Sequence, residues 1–130
     1  MITLNQKKME TFERQAKTAP AQEIAFYLQE HLGQKITAYL SGLKDPKIVG
    51  QWAKGRGKPR DLARFRMACA YEAALMLVSA YGDETARSWF FGTNTRLDDE
   101  APAARLRHVK DPQDLRYIVP AARAFVGVAA

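Results

Sequence analysis

Between Pro59 and Gly82 the chain reads PRDLARFRMACAYEAALMLVSAYG, and no other stretch limits its possible folds so tightly. A proline ahead of the first turn, Asp61 within that turn and a glycine at the far end are helix start and stop signals. At a rise of about 1.5 Å per residue such a helix is roughly 35 Å long, the width of a small domain. Leu62, Phe65, Cys69, Ala73, Met76 and Ala80 recur at helical spacing, and Ala68, Tyr71, Leu75 and Val78 form a second stripe beside them. From Ala68 to Ala80 the sole charged residue is Glu72, so other elements must cover this half on most sides. Arg60, Arg64 and Arg66 are expected to put positive charge on the exposed surface of the first half. The helix reads as a spine, with a basic module before it and an apolar, aromatic module after it.

A length of 130 residues suits one domain that buries a core without staples. The formal net charge is +6, which points to a polyanionic partner, and its distribution says more than its total. From Lys44 to Arg66 eight Lys/Arg stand against Asp45 and Asp61, whereas the rest of the chain is neutral. The single cysteine, Cys69, excludes an internal disulfide and lies on an apolar stripe, as a buried thiol would. The polar start, MITLNQKKMETFERQAKT, lacks the apolar core of a signal peptide, and no apolar run approaches the roughly 20 residues of a membrane span. A cytoplasmic protein with no membrane partner is expected.

The periodicity is helical throughout, so the expected class is all-α. Residues 1–18 form a polar N-terminal tail, frayed or loosely docked as a helix, with Leu4, Met9 and Phe12 as its possible anchors. Pro20 opens a helix with Ile24, Ala25, Leu28 and Leu32 on one face, closed by Gly33. Gln34 to Ser41 is a short helix with Ile36, Tyr39 and Leu40 inward, followed by a turn at Gly42, Asp45 and Pro46. Lys47 to Lys54 is another, held by Ile48, Val49 and Trp52, and GRGKP leads from it into the spine. Beyond the spine, Asp83 should cap a helix through Ala86, Trp89 and Phe90, and Pro102 should start one through Leu106 and Val109. Asp111-Pro112 is a good N-cap and N1 pair for a last helix carrying Leu115, Ile118, Val119, Ala122 and Phe125, which Pro120 should kink or split.

Two short helices joined by a Gly-containing turn are the minimum for a helix-turn-helix, whose second helix enters the major groove. Ala38, Leu40, Gly42, Ile48 and Trp52 occupy positions that resemble the Xre-type domain of Cro and phage repressors, with one extra residue between Gly42 and Trp52. On that reading Lys47, Gly50, Gln51 and Lys54 face the groove, and Gln51 can bond an adenine edge in two places. Lys44, Lys54, Arg56, Lys58 and Arg60 then hold phosphates, which fixes register without reading sequence. The competing reading is a solvated basic loop. Trp52 reads as core.

The most distinctive stretch is WFFGTNTRLDDEAPAARL, residues 89–106. The order and spacing of Trp89, Asn94, Leu97, Pro102 and Leu106 resemble the toxin-binding domain of Xre/MbcA/ParS-type antitoxins. QWAKG with its basic linker, the long apolar helix and the closing segment Asp114 to Phe125 fit the same layout, so the resemblance covers about residues 35 to 126. It implies a small all-helical antitoxin whose Xre-like part spans residues 19–58 and whose long helix and toxin-binding module span 59–130. The implied partner is a RES-domain toxin, an NAD-destroying enzyme whose active site the antitoxin's C-terminal end enters or covers. The resemblance further implies autoregulation at operator DNA and a homodimer or a hetero-oligomer with toxin. Carried over, Trp89, Asn94, Arg96, Leu97 and Pro102 shape the domain and its contact surface, while Phe125, Val126, Gly127 and Val128 are candidates for the occluding tail. Asp98-Asp99-Glu100 departs from a loop that is often glycine-rich in the family. Trp89, Phe90 and Phe91 also suit ordinary core packing, and Asn94 suits a loop residue tied to its own backbone.

Catalytic signals are not found. Gly50-x4-Gly55 has phosphate-loop spacing, but Arg56-Gly57 follows where Lys-Ser/Thr is required. His31 and His108 lack neighbours at metal-ligand spacing, and Asp98, Asp99 and Glu100 are too bunched to face each other across a substrate. No enzyme, cofactor or metal is expected. A plain Xre-like regulator without a toxin is the alternative function.

Overall fold

Eight α-helices follow one another in the computed structural model, which describes residues 4–127. They are α1 (Gln6–Thr18), α2 (Ala21–Leu32), α3 (Gln34–Ser41), α4 (Lys47–Ala53), α5 (Asp61–Tyr81), α6 (Asp83–Phe91), α7 (Pro102–His108) and α8 (Ile118–Val126). Short 3-10 turns at Thr95–Leu97 and Pro112–Tyr117 link the last three. Among the described residues the sole β-type pairing is a bridge between Asn94 and Glu100. The chain is all-α, as its periodicity predicts.

The apolar half of α5 is the centre of the core. Met67, Ala70, Ala73, Ala74, Met76 and Leu77 are fully buried, because α1, α2, α3, α6 and α8 surround the helix. Each large side chain buried there contributes about 1.5–3 kcal/mol. The first apolar stripe breaks down at its N-terminal end, where Phe65 is 55% exposed and Leu62 half-buried. Instead of a covering helix, that side of α5 has an open, mostly apolar groove of about 330 Å³, bounded by Ala16 and by Leu115 and Val119.

The N-terminal segment is a docked helix rather than a tail. Asn5 caps α1 by accepting from Lys8 N at 2.9 Å, and α1 packs on α5. Its three possible anchors, Leu4, Met9 and Phe12, are all buried, with Ala16 beside them. Asp83 does not cap α6. Gly82 holds that position, and Asp83 Oδ1 lies 2.7 Å from His31 Nδ1 on α2. Asp111 does cap by accepting from Gln113 N, but it caps the 3-10 turn at Pro112–Tyr117. The closing segment splits there, ahead of Pro120, which falls in the first turn of α8, where a missing N–H leaves no intrahelical bond unmade.

Arginines join the elements. Arg64 donates to Ala19 O at the end of α1 (2.8 Å), and Arg87 donates to His31 O at the end of α2 (3.0 Å). Arg66 reaches Val109 O after α7 (2.8 Å) and Ser41 O at the end of α3 (3.4 Å). Arg107 donates to Tyr39 O (2.8 Å) and Leu43 O (3.2 Å), with its guanidinium 4.7 Å from the Tyr39 ring centroid. Arg105 donates to Leu97 O at 2.9 Å. The last carbonyls of a helix lack intrahelical donors and carry its negative dipole end, so a guanidinium suits them in both respects. The expected exposed charge at Arg64 and Arg66 is thus corrected, since both side chains are half-buried struts.

Gly42 makes room for one of these struts. It ends α3 in the left-handed region (φ 83°), and a Cβ there would collide with Arg66 Nη1. Gly42→Ala is expected to lower unfolding stability by about 1–3 kcal/mol in chemical denaturation. Gly92→Ala is expected to stay within about 0.5 kcal/mol of wild type, because Gly92 has an ordinary φ of −83° and space for a methyl group.

Candidate functional site

The excess charge of residues 44–66 divides into two kinds once Arg64 and Arg66 are assigned to struts. Lys44, Lys47, Lys54, Arg56, Lys58 and Arg60 are all exposed. Among the described residues, none of the six has a carboxylate within ion-pair distance. Asp45 is used locally: its Oδ1 accepts from Lys47 N at 3.0 Å and anchors the start of α4.

Helix α4 presents these charges in an ordered way. Val49, Trp52 and Ala53 are buried against α2 and α3, so the helix cannot roll. Lys47, Gln51 and Lys54, spaced i, i+4 and i+7, therefore share the outer face, and all three are exposed. Gly50 does not belong to that face. It is half-buried, and a Cβ on it would run into the Gln34 side chain, itself bonded to Gln29 at 2.8 Å. Arg56, Lys58 and Arg60 follow on the loop between α4 and α5. Lys44 lies in the turn between α3 and α4. The arrangement is one polar, amide-bearing helix face flanked by free cations, a geometry able to engage a polyanion.

The residues expected to form a protein-partner surface are mostly interior. Trp89 is buried and packs edge-to-face on Phe90, Leu97 is 1% exposed, and Pro102 is buried as the first residue of α7. Asn94 Oδ1 accepts from Arg96 N (3.0 Å), and its carbonyl accepts from Leu97 N and Asp99 N (both 2.9 Å), so it ties the loop to itself. Arg96 is exposed. At the C-terminal end Phe125 is 48% exposed, with its ring 5.5 Å from that of Tyr81, and Gly127 is exposed. Val126 turns into the chain's own core, and Val128 lies outside the described residues. Of these candidates Arg96, Phe125 and Gly127 are accessible. Phe91 is accessible as well, 48% exposed and beside Tyr39.

The loop that departs from a glycine-rich pattern has the backbone glycine favours. Asp98 (φ 56°) and Asp99 (φ 63°) both adopt left-handed conformations, which aspartate tolerates better than most side chains. Arg105 Nη2 and Nε lie 3.8 and 3.7 Å from the Asp98 and Glu100 carboxylates, which holds the loop against α7.

Among the described residues no three His, Cys, Asp or Glu side chains gather as metal ligands, and no helix is long and apolar enough to cross a membrane. Comparison with known proteins finds no matching family model, curated sequence or solved structure. The struts Arg64, Arg66 and Arg107 were not visible in sequence, where their apolar neighbours on α5 and α7 were the sole clue.

Cys69 is half-buried, with Sγ 3.6 Å from Leu115 O. Desolvation first, and the Glu72 charge second, push its thiol up to about 12. An ordinary thiol near 8.5 is partly ionised at pH 8, whereas this one stays protonated. Ellman's reagent at pH 8 is expected to label the native chain at least about a hundredfold more slowly than the urea-unfolded chain, approaching the unfolded rate only at a much higher pH.

Proposed function

We propose that this chain is an antitoxin: α3, the turn at residues 42–46 and α4 act as a helix-turn-helix on operator DNA, and the C-terminal half holds a RES-domain toxin. The observation that carries the DNA part is the set of six exposed cations without carboxylate partners around α4. Lys47 and Lys54 bracket Gln51 on the outward face, so the amide reaches base edges while the ammonium groups and the loop cations grip phosphates. Support for the toxin part comes from the resemblance of residues 35–126 to Xre/MbcA/ParS-type antitoxins and from the exposed Arg96, Phe125 and Gly127.

A second reading is favoured by one observation. Trp89, Leu97, Pro102 and Val126 serve the chain's own core, as they would in a plain regulator with no toxin. The two readings separate on co-expression with the neighbouring open reading frame. An antitoxin rescues growth and co-purifies with that product, and Phe125→Ala with Arg96→Ala weakens both effects without lowering the melting temperature. A plain regulator does neither.

For the DNA part, Lys44, Lys47 and Lys54 are replaced together by alanine, and binding to duplex from the chain's own upstream region is followed by anisotropy across a salt series. The slope of log K against log salt is expected to flatten by about 0.9 for each phosphate that is no longer neutralised. An unchanged slope returns these lysines to a merely solvated face.

A further inference from the structure

A cleft of about 540 Å³ is lined from α1, α2, α5 and α6. That volume falls within the range of about 300–1,000 Å³ typical of small-molecule sites. In a chain of net charge +6 its chemistry is inverted: Glu23, Glu30 and Asp83 line it, and no lysine or arginine does. His31 Nδ1 lies 2.7 Å from Asp83 Oδ1, so that carboxylate has a partner. Among the described residues Glu23 and Glu30 have no cation within ion-pair distance. Phe26 and Tyr27 stand between them on α2, so carboxylate, rings and carboxylate follow one another along a single helix face. At about 1.5 Å per residue, Glu23 and Glu30 are roughly 10 Å apart along the helix axis. Phe26 is 54% exposed although it is large and apolar, and Tyr27 stands edge-on to Tyr71 with ring centroids 5.2 Å apart. A further observation is independent of the carboxylates. Tyr71 is 2% exposed, and among the described residues its hydroxyl makes no hydrogen bond. That hydroxyl is not among the fully enclosed polar atoms that lack a partner, so it keeps an opening, and the cleft that Tyr71 lines supplies it. Burial first and then the Glu23 charge raise the pKa of Tyr71, while burial, Tyr71 and Asp83 raise that of Tyr27. Both phenols therefore stay neutral beside the carboxylates, with oxygens able to accept. What the cleft lacks is a donor, and its charge calls for a cationic one.

We infer that this cleft binds a linear aliphatic polyamine, with an ammonium group at each of Glu23 and Glu30 and its methylene chain across Phe26 and Tyr27. Each ammonium donates charge-assisted hydrogen bonds to a carboxylate, which are stronger than neutral ones. The ring faces attract a cation and also cover methylenes that water solvates poorly. A triamine such as spermidine holds its outer nitrogens about as far apart as the two glutamates, and its middle ammonium can donate to the Tyr71 hydroxyl oxygen. A metal ion would match the charge but not the spacing, since carboxylates two helical turns apart do not converge on one ion. The chain's net charge repels a polycation, so binding must come from this local arrangement. The site shares no residue with the outward face of α4 and does not rest on the antitoxin reading.

The test is calorimetric titration of the whole chain with spermidine, butylamine and magnesium chloride at about 0.15 M salt, where loose charge attraction is screened. Spermidine is expected to bind one per chain, butylamine at least about tenfold more weakly, and magnesium without saturation. Glu23→Gln with Glu30→Gln, both on exposed side chains, should leave the melting temperature unchanged and weaken spermidine at least about tenfold. Phe26→Ala removes an exposed ring and should weaken it about threefold. No saturable spermidine binding, equal affinity for magnesium or butylamine, or either variant binding like wild type would overturn the assignment. So would saturation by a lysine-rich peptide but not by spermidine, since the cation would then belong to a partner protein.

Discussion

The guanidinium laid against the end of a helix is the interaction on which this fold depends. Many short helices mean many C-termini, each with carbonyls that its own helix cannot satisfy. Lysine could supply charge but not several directed donors from one planar head. Arginines on α5, α6 and α7 instead reach across to the ends of α1, α2 and α3, to the residue after α7 and to the 3-10 turn before it. The ends of α3 and α7 share a single arginine, Arg66, which ties the two halves of the chain together near the turn. The positive φ at Gly42 and the missing Cβ there belong to the same device.

This sorts the chain's basic residues by what surrounds them rather than by where they stand in the sequence. Arg64 and Arg66 sit within the same charged run as Lys54 and Arg56, yet they are half-buried and bonded to backbone, while their neighbours are exposed. Within residues 44–66 the exposed cations are those without structural work, so they are the ones available to a partner. Val49, Trp52 and Ala53 hold α4 by packing, and the Asp45 carboxylate anchors its start.

The helices were largely legible in the sequence, and the reason is physical. Ile24, Ala25, Leu28 and Leu32 are the four residues that α2 buries, because a short surface helix has one core-facing stripe and the sequence displays it. The spine's apolar half was legible for the same reason. Phe65 was not, because periodicity reports which face of α5 is apolar and not whether another element arrives to cover it. A kink or split was expected at Pro120, but its position at Ile118 escaped because the turn at Pro112–Tyr117 and the helix after it share one apolar pattern. At the candidate site, Lys47, Gln51 and Lys54 were read as outward and are so, but Gly50, read with them, is half-buried against Gln34. The struts did not follow, since a carbonyl acceptor belongs to any residue and leaves no trace in the sequence. Core packing of Trp89 and an inward Leu97 were legible in the sequence and are observed, whereas the motif did not reveal that Pro102 is buried with them.

The most direct test is the unfolding free energy of Arg66→Lys, measured by urea denaturation. The substitution keeps the charge and removes the forked donors. If guanidinium struts hold the helix ends, the loss is about 1.5–3 kcal/mol, as for hydrogen bonds to charged groups. A variant within about 0.5 kcal/mol of wild type, the range of an ordinary surface substitution, would contradict the strut as the organising interaction.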